Sequence, residues 1–172
     1  MNFSRHRLLV LLAPPLLVAV AGCASTSDSA SVAVPSPDAK TAKECRDLHR
    51  VLPRTLDGHG RDDPEPRSAY TAGWGNPAII LRCGVSRPPK MIDPKVAEGS
   101  DPDAVAGGVN GVDWLMEKQG DGTWRFTTAN REAYVEVSLP KGRSAQEEGT
   151  GVLTGLAPAV KKAIPEGIAS MR

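Results

Sequence analysis

Two cysteines constrain what this chain can fold into more than any other pair of residues. Cys83 closes the stretch GWGNPAIILRCGV, residues 73–85. From Pro77 onward Ile79, Leu81, Cys83 and Val85 alternate with Ile80, Arg82 and Gly84, a period of two that predicts a strand with Cys83 among the core-facing set and Arg82 on the other face. Cys45 lies in a different pattern. Thr41-Ala42-Lys43-Glu44 has the form of a capping box, and a helix running from there to about Leu52 carries Cys45, Leu48 and Leu52 on one stripe, with Lys43, Arg46, Asp47 and Arg50 opposite and Pro53 as its stop. Both sulfurs therefore point inward, and the fold must bring this helix and this strand to a common core.

Whether those sulfurs are bonded depends on where the protein resides. The opening MNFSRHRLLVLLAPPLLVAVAGC places Arg5 and Arg7 ahead of an apolar run from Leu8 to Val20, which is too short to cross a bilayer unaided and reads as an export signal. Val20-Ala21-Gly22-Cys23 has the form of a lipobox, whose cysteine receives a diacylglyceryl group and becomes the first residue after cleavage. An uncleaved anchor and an ordinary signal peptide containing a cysteine are the alternatives. Two acyl chains suffice for stable anchoring, so this reading holds the protein on the outer side of a membrane through Cys23. Loss of residues 1–22 removes two of the 21 basic residues and none of the 20 acidic ones, leaving a formal charge of −1. No basic excess of the kind a nucleic-acid partner calls for is present.

Residues 24–40, rich in Ser, Ala and Pro and without periodicity, read as a disordered tether that holds the domain roughly 20 to 25 Å from the lipid. The domain boundaries expected are 1–22 for the signal, 23–40 for the lipidated cysteine and tether, and 41–172 for a single domain. After the first helix comes a polar excursion with an edge strand at Arg54 to Leu56, then the strand ending at Val85, then a Pro-, Asp- and Gly-rich connection from Arg87 to Gly108. Val112, Trp114 and Met116 alternate with Asp113 and Glu117; Trp124 and Phe126 alternate with Arg125; and Gly120-Asp121-Gly122 between them signals a hairpin. Ala133, Val135, Val137 and Leu139 make another such face. A last helix is expected on the stripe Leu153, Leu156, Val160 and Ile164 behind a capping box at Ser144 and Glu147, kinked or split by Pro158. The sum is an α+β domain: an antiparallel meander of four or more strands, with the N-terminal and C-terminal helices packed on one face.

Outside the cytoplasm, two inward-facing cysteines most economically form a disulfide, Cys45 to Cys83. A sharper reading makes a zinc site from Cys45, His49, His59 and Cys83, since Cys45 and His49 stand at i, i+4 on a helix; it lacks a CxxC or HxxxH core. A third makes Cys83 a nucleophile with His49 or His59 as base, against the apolar character of its strand face. No phosphate-cradling loop, nucleophile elbow or carboxylate pair is present as a motif. Trp74, between two glycines, is either a binding platform or a lid over the edge of the core. If a binding surface exists, Trp74, Asn76 and Arg82 are its first candidates.

Taken together, the lipobox, the Cys45–Pro53 helix, the GWGNP and LRCGV runs, GVDW, and the VEVSLP strand before a final helix resemble a family of small lipoproteins of high-GC Gram-positive bacteria, domain-of-unknown-function family 3515. The resemblance runs from about Cys45 to Ile164. It implies a membrane-attached envelope protein and supplies no catalytic residues. The expectation is a non-catalytic module that binds an envelope protein or a cell-wall component, without a cofactor or metal; the competing expectation is an envelope enzyme or zinc/thiol protein built on Cys45, His49, His59 and Cys83.

Overall fold

The computed structural model describes residues 31–75, 79–142 and 145–169, so Cys23, Asn76 and Ser144 lie outside the described residues. Helix α1 spans Ala39–Val51 and starts three residues earlier than the Thr41 capping box predicts. Asp38 is the cap: its carboxylate accepts from the Thr41 backbone N–H at 2.9 Å and from the Thr41 hydroxyl at 3.0 Å. An anionic cap is favoured here because it also meets the positive end of the helix dipole, and it leaves Glu44 free of the capping role. Leu52 ends the helix with its N–H on the Leu48 carbonyl, just before Pro53.

A short hairpin of β1 (Thr55–Leu56) and β2 (His59–Gly60) turns at Asp57-Gly58, both at positive φ. The main sheet holds β3 (Thr71–Trp74), β4 (Ile79–Cys83), β5 (Ala104–Val109), β6 (Val112–Lys118), β7 (Trp124–Ala129) and β8 (Val135–Leu139). Its order is β3-β4-β8-β7-β6-β5, antiparallel throughout. Of the four strands expected in the meander, β6, β7 and β8 follow one another as expected, β5 precedes them, and β4, expected at the start, pairs with β8 and with β3 instead. A helix α2 of one turn (Pro94–Ala97) lies in the Pro-, Asp- and Gly-rich connection. A π-helical turn, Ala145–Gly149, leads into α3 (Thr150–Ala163), which is continuous through Pro158.

Pro158 cannot donate to the Thr154 carbonyl four residues back. The Asn110 side chain bonds that carbonyl instead, at 3.4 Å, while Lys161 Nζ donates to the Asn110 carbonyl at 2.8 Å. The helix is thereby fastened to the β5-β6 turn. Both α1 and α3 cover the same face of the sheet, as expected. Their Cys45, Leu48, Leu153, Leu156 and Val160 share one buried cluster with Ile79, Leu81, Cys83, Trp114, Phe126, Val135 and Val137. Cys45 and Cys83 are bonded, their Cα atoms 5.5 Å apart. Among the described residues no helix is long and apolar enough to cross a membrane.

Candidate functional site

The other face of the sheet is polar. The registers align Thr71, Arg82, Glu136, Thr127 and Leu115 in one row across five strands, and Ile80, Ser138, Arg125 and Glu117 in the next. Alternation alone dictates this, because each of these residues is the neighbour of a core-facing one. A small apolar cluster of Val96, Ala104 and Leu115, with Met91 against it, covers the β5-β6 end. The β4-β8 half is left to charge. Arg82 Nε lies 3.0 Å from Glu136 Oε1. Arg125 reaches the buried Glu117 with two bonds, Nε to Oε2 at 3.2 Å and Nη2 to Oε1 at 3.1 Å.

Over this half opens a cleft of about 530 Å³. Arg82, Arg125, Tyr134 and Glu136 line it, with residues 33–38 along one side and 84–89 along another. Residues 31–38, read from the sequence as tether, are laid along the domain: Val32 N–H donates to the Glu65 carbonyl at 3.0 Å and Ser31 makes a β-bridge to Glu65. Pro37 seats against Gly84, where a Cβ would come within 2.7 Å of the proline ring and the backbone stands at φ +83. Gly84 is therefore needed both for its conformation and for that approach. Its N–H donates to the Tyr134 carbonyl at 2.9 Å, which fixes the position of Tyr134 in the cleft.

Burial pushes the Tyr134 hydroxyl above its ordinary value, with the Arg87 charge opposing. Arg87 is half-buried and has no ion-pair partner among the described residues. The cleft thus offers guanidinium donors, a phenol and a carboxylate held by their neighbours, a set suited to recognising a polar ligand through several hydrogen bonds.

Beside the cleft stands a carboxyl pair. Lys40 Nζ lies 2.9 Å from Glu132 Oε2, and this bond, ahead of burial, holds Glu132 below its ordinary range. Glu44 is pushed up, by burial first and then by its hydrogen bond to Glu132, and its Oε2 is buried without a partner. When the pair holds one proton, Glu44 rather than Glu132 carries it. A carboxyl whose folded pKa is raised stabilises the fold fully below its unfolded value and loses that contribution as pH rises through the folded one. Glu44→Gln is therefore expected to match the wild type in acid, below the ordinary value of 4.5, and to be the more stable of the two at pH 7. Denaturant unfolding at pH 4 and pH 7 reads the difference.

The residues singled out by the sequence are distributed as follows. Cys45 and Cys83 are bonded to one another and almost wholly buried, which takes both from a thiolate or zinc role. Among the described residues no group of three or more His, Cys, Asp or Glu is arranged to hold a metal. His49 Nε2 is 2.9 Å from Arg61 Nη2 and 4.0 Å from Asp63 Oδ2; burial first, then the Arg61 charge, push its pKa down against Asp63. His59 sits in β2 and packs against Gly75. Trp74 is fully buried, which removes it from any binding surface: its strand lies with all four residues inside. Asn76 lies outside the described residues. Of the three surface candidates, Arg82 is in the cleft. Arg87, Arg125, Tyr134 and Glu136 complete it without having been singled out; the outward phase of Arg125, Tyr134 and Glu136 on their strands was the available signal.

A six-stranded antiparallel sheet with two helices on one face, stapled by a helix-to-strand disulfide and open to a charged cleft on the other, defines a small α+β domain. The chain matches the model of the family described as protein of unknown function (DUF3515) over residues 8–169, and it belongs to that family. No curated protein and no solved structure matches it.

Proposed function

We propose that this protein is a cell-envelope lipoprotein, cleaved before Cys23 and lipidated there, held on the extracytoplasmic side of a membrane, whose domain is a non-catalytic binding module with the charged cleft as its binding surface. The observation that carries the reading is that residues 33–38, which form one side of the cleft, are the same segment that leads back to Cys23. Ala33 is ten positions after Cys23, so even fully extended chain keeps that wall within roughly 35 Å of the lipid. A ligand in the cleft is then an envelope component, a protein or a piece of cell wall, presenting polar groups to Arg82, Arg87 and Tyr134. The bonded cysteines favour an oxidising compartment and weigh against a zinc or thiol enzyme.

The test has two arms. The full-length chain is expected in the membrane fraction, released by detergent, and Cys23→Ala in the soluble fraction; a variant that stays on membranes overturns the anchoring. An envelope component captured by the wild type is expected to be lost with Arg87→Glu while the circular dichroism is unchanged. Capture that survives both Arg87→Glu and Tyr134→Ala overturns the cleft as the site.

A further inference from the structure

The sheet has two edges, and among the described residues only one of them is guarded. Against β3, Asp62 N–H donates to the Gly73 carbonyl at 2.8 Å, Arg61 bridges Trp74, and Gly75 N–H donates to the Gly60 carbonyl at 3.2 Å. Against β5 the described residues place nothing of the kind. The strand reads Ala104-Val105-Ala106-Gly107-Gly108-Val109, without charge, proline or bulge, and all six residues pair one to one with β6. Val105 is 50% exposed, and Ala106 and Gly108 are exposed beside it. An unprotected, regular edge of this kind is a template for another strand.

The ladder tells which backbone groups face outward. Val109 and Val112 flank the two-residue turn Asn110-Gly111, both at positive φ, and so exchange both of their bonds; Lys118 N–H to the Asp103 carbonyl, at 2.7 Å, continues the same phase. Residues 103, 105, 107 and 109 thus spend their backbone groups on β6. Those of Ala104, Ala106 and Gly108 point away from the sheet, with no backbone partner among the described residues.

We propose that β5 pairs antiparallel with β5 of a second copy of this chain, about a two-fold axis through Gly107. A two-fold axis requires one residue to stand opposite itself. With Gly107 there, Ala106 faces Gly108 of the second copy as a hydrogen-bonded pair, which uses the outward groups of both. Val105 faces Val109 of the second copy in the closer, non-hydrogen-bonded kind of pair, on the helix side of the sheet. One step further out, Asp103 comes opposite Gly111 of the second copy, where Lys161 Nζ is fastened to the Asn110 carbonyl on that same side. Opposite charges meet there twice. Moving the axis to Ala106 sets Val105 against a glycine and Asp103 against a valine; moving it to Gly108 sets Asp103 against Asp113. The contact is one strand long, at the small end of interface areas, so it is weak in dilute solution and gains from confinement of the copies to one surface.

The test is oxidative cross-linking of the full-length chain in isolated envelopes. A Cβ at Gly107 meets only the end of the Met116 side chain, at 3.5 Å, so Gly107→Cys leaves the fold intact. It is expected to give a disulfide-linked dimer, while Glu98→Cys, exposed more fully at the C-cap of α2, does not. Asp103→Lys or Lys161→Glu is expected to weaken dimerisation about tenfold, two exposed pairs being broken at once, and the double reversal to restore it. Ala106→Pro removes an outward N–H that the fold does not use and is expected to abolish the cross-link. A Gly107→Cys yield no higher than that of Glu98→Cys overturns the proposal, as does a cross-link that persists in Ala106→Pro or ignores the charge reversals.

Discussion

Replacing Cys45 and Cys83 together with alanine is expected to lower the free energy of unfolding by about 4 kcal/mol, the chain-entropy value for a link of this span, a large part of the 5–15 kcal/mol typical of a domain. The two cysteines are 38 residues apart, and the loop between them contains the β1-β2 hairpin, all of β3 and the polar excursion joining them. The bond ties the first helix to the strand at the centre of the core, since Cys83 stands opposite Val135 of β8. Both sulfurs are 1% exposed, so the alanines add small cavities to the lost constraint, and neither leaves an orphaned polar group. Urea unfolding followed by circular dichroism gives the number. A reductant strong enough to open the bond in the wild type is expected to bring its midpoint to that of the double variant. A loss under about 1 kcal/mol would mean that the excursion is already ordered in the unfolded chain and that the link adds little.

That bond was legible because two independent periodicities, of 3.6 in α1 and of two in β4, each turned a sulfur inward. The same logic found β6, β7, β8 and the stripe of α3, where alternation between apolar and polar residues is clean. It failed where alternation has no contrast. Thr71-Ala72-Gly73-Trp74 is buried on both faces, and Ala104 to Val109 is built of small residues, so neither run carries a period. The Asn110-Gly111 turn, flanked by valines, was the sequence signal for β5; its partner strand became evident only through pairing with β6. The placement of β4 beside β8 rather than next to β6 follows from long-range pairing that no local pattern encodes. Of the cleft, the sequence exposed Arg82 by phase alone. Arg87 sits in a loop and Asp38 in a segment that reads as tether, and both reach the site because Pro37 packs on Gly84, a contact between residues 47 positions apart.

Trp74→Ala is the second large effect: a loss of about 4 kcal/mol, within the range for deleting a buried aromatic. The sequence left this residue between platform and lid, and its surroundings decide the matter. The indole is fully buried, its Nε1–H donates to the Pro53 carbonyl at 3.0 Å, and the Arg61 guanidinium lies 5.3 Å from the ring centroid. That guanidinium also reaches His49 at 2.9 Å and pairs with Asp63. The flanking glycines are the condition for this arrangement: a Cβ on Gly73 would stand 2.3 Å from the Asp62 carbonyl oxygen, and Gly75, at φ +76, brings the backbone against His59. The tryptophan thus holds the polar excursion and the end of α1 onto the edge of the sheet. Truncating it opens a cavity, leaves the Pro53 carbonyl without its donor and takes the ring away from the Arg61 guanidinium, which keeps Asp63 and His49. Trp74→Phe keeps most of the volume and loses the hydrogen bond, for a cost of about 1 kcal/mol beyond the change in size. Because the indole is no part of the cleft lining, a folded Trp74→Phe protein is expected to capture the same envelope component as the wild type, whereas Arg87→Glu is not. Loss of capture in the folded Trp74→Phe variant would return the tryptophan to the binding surface and take the cleft from it.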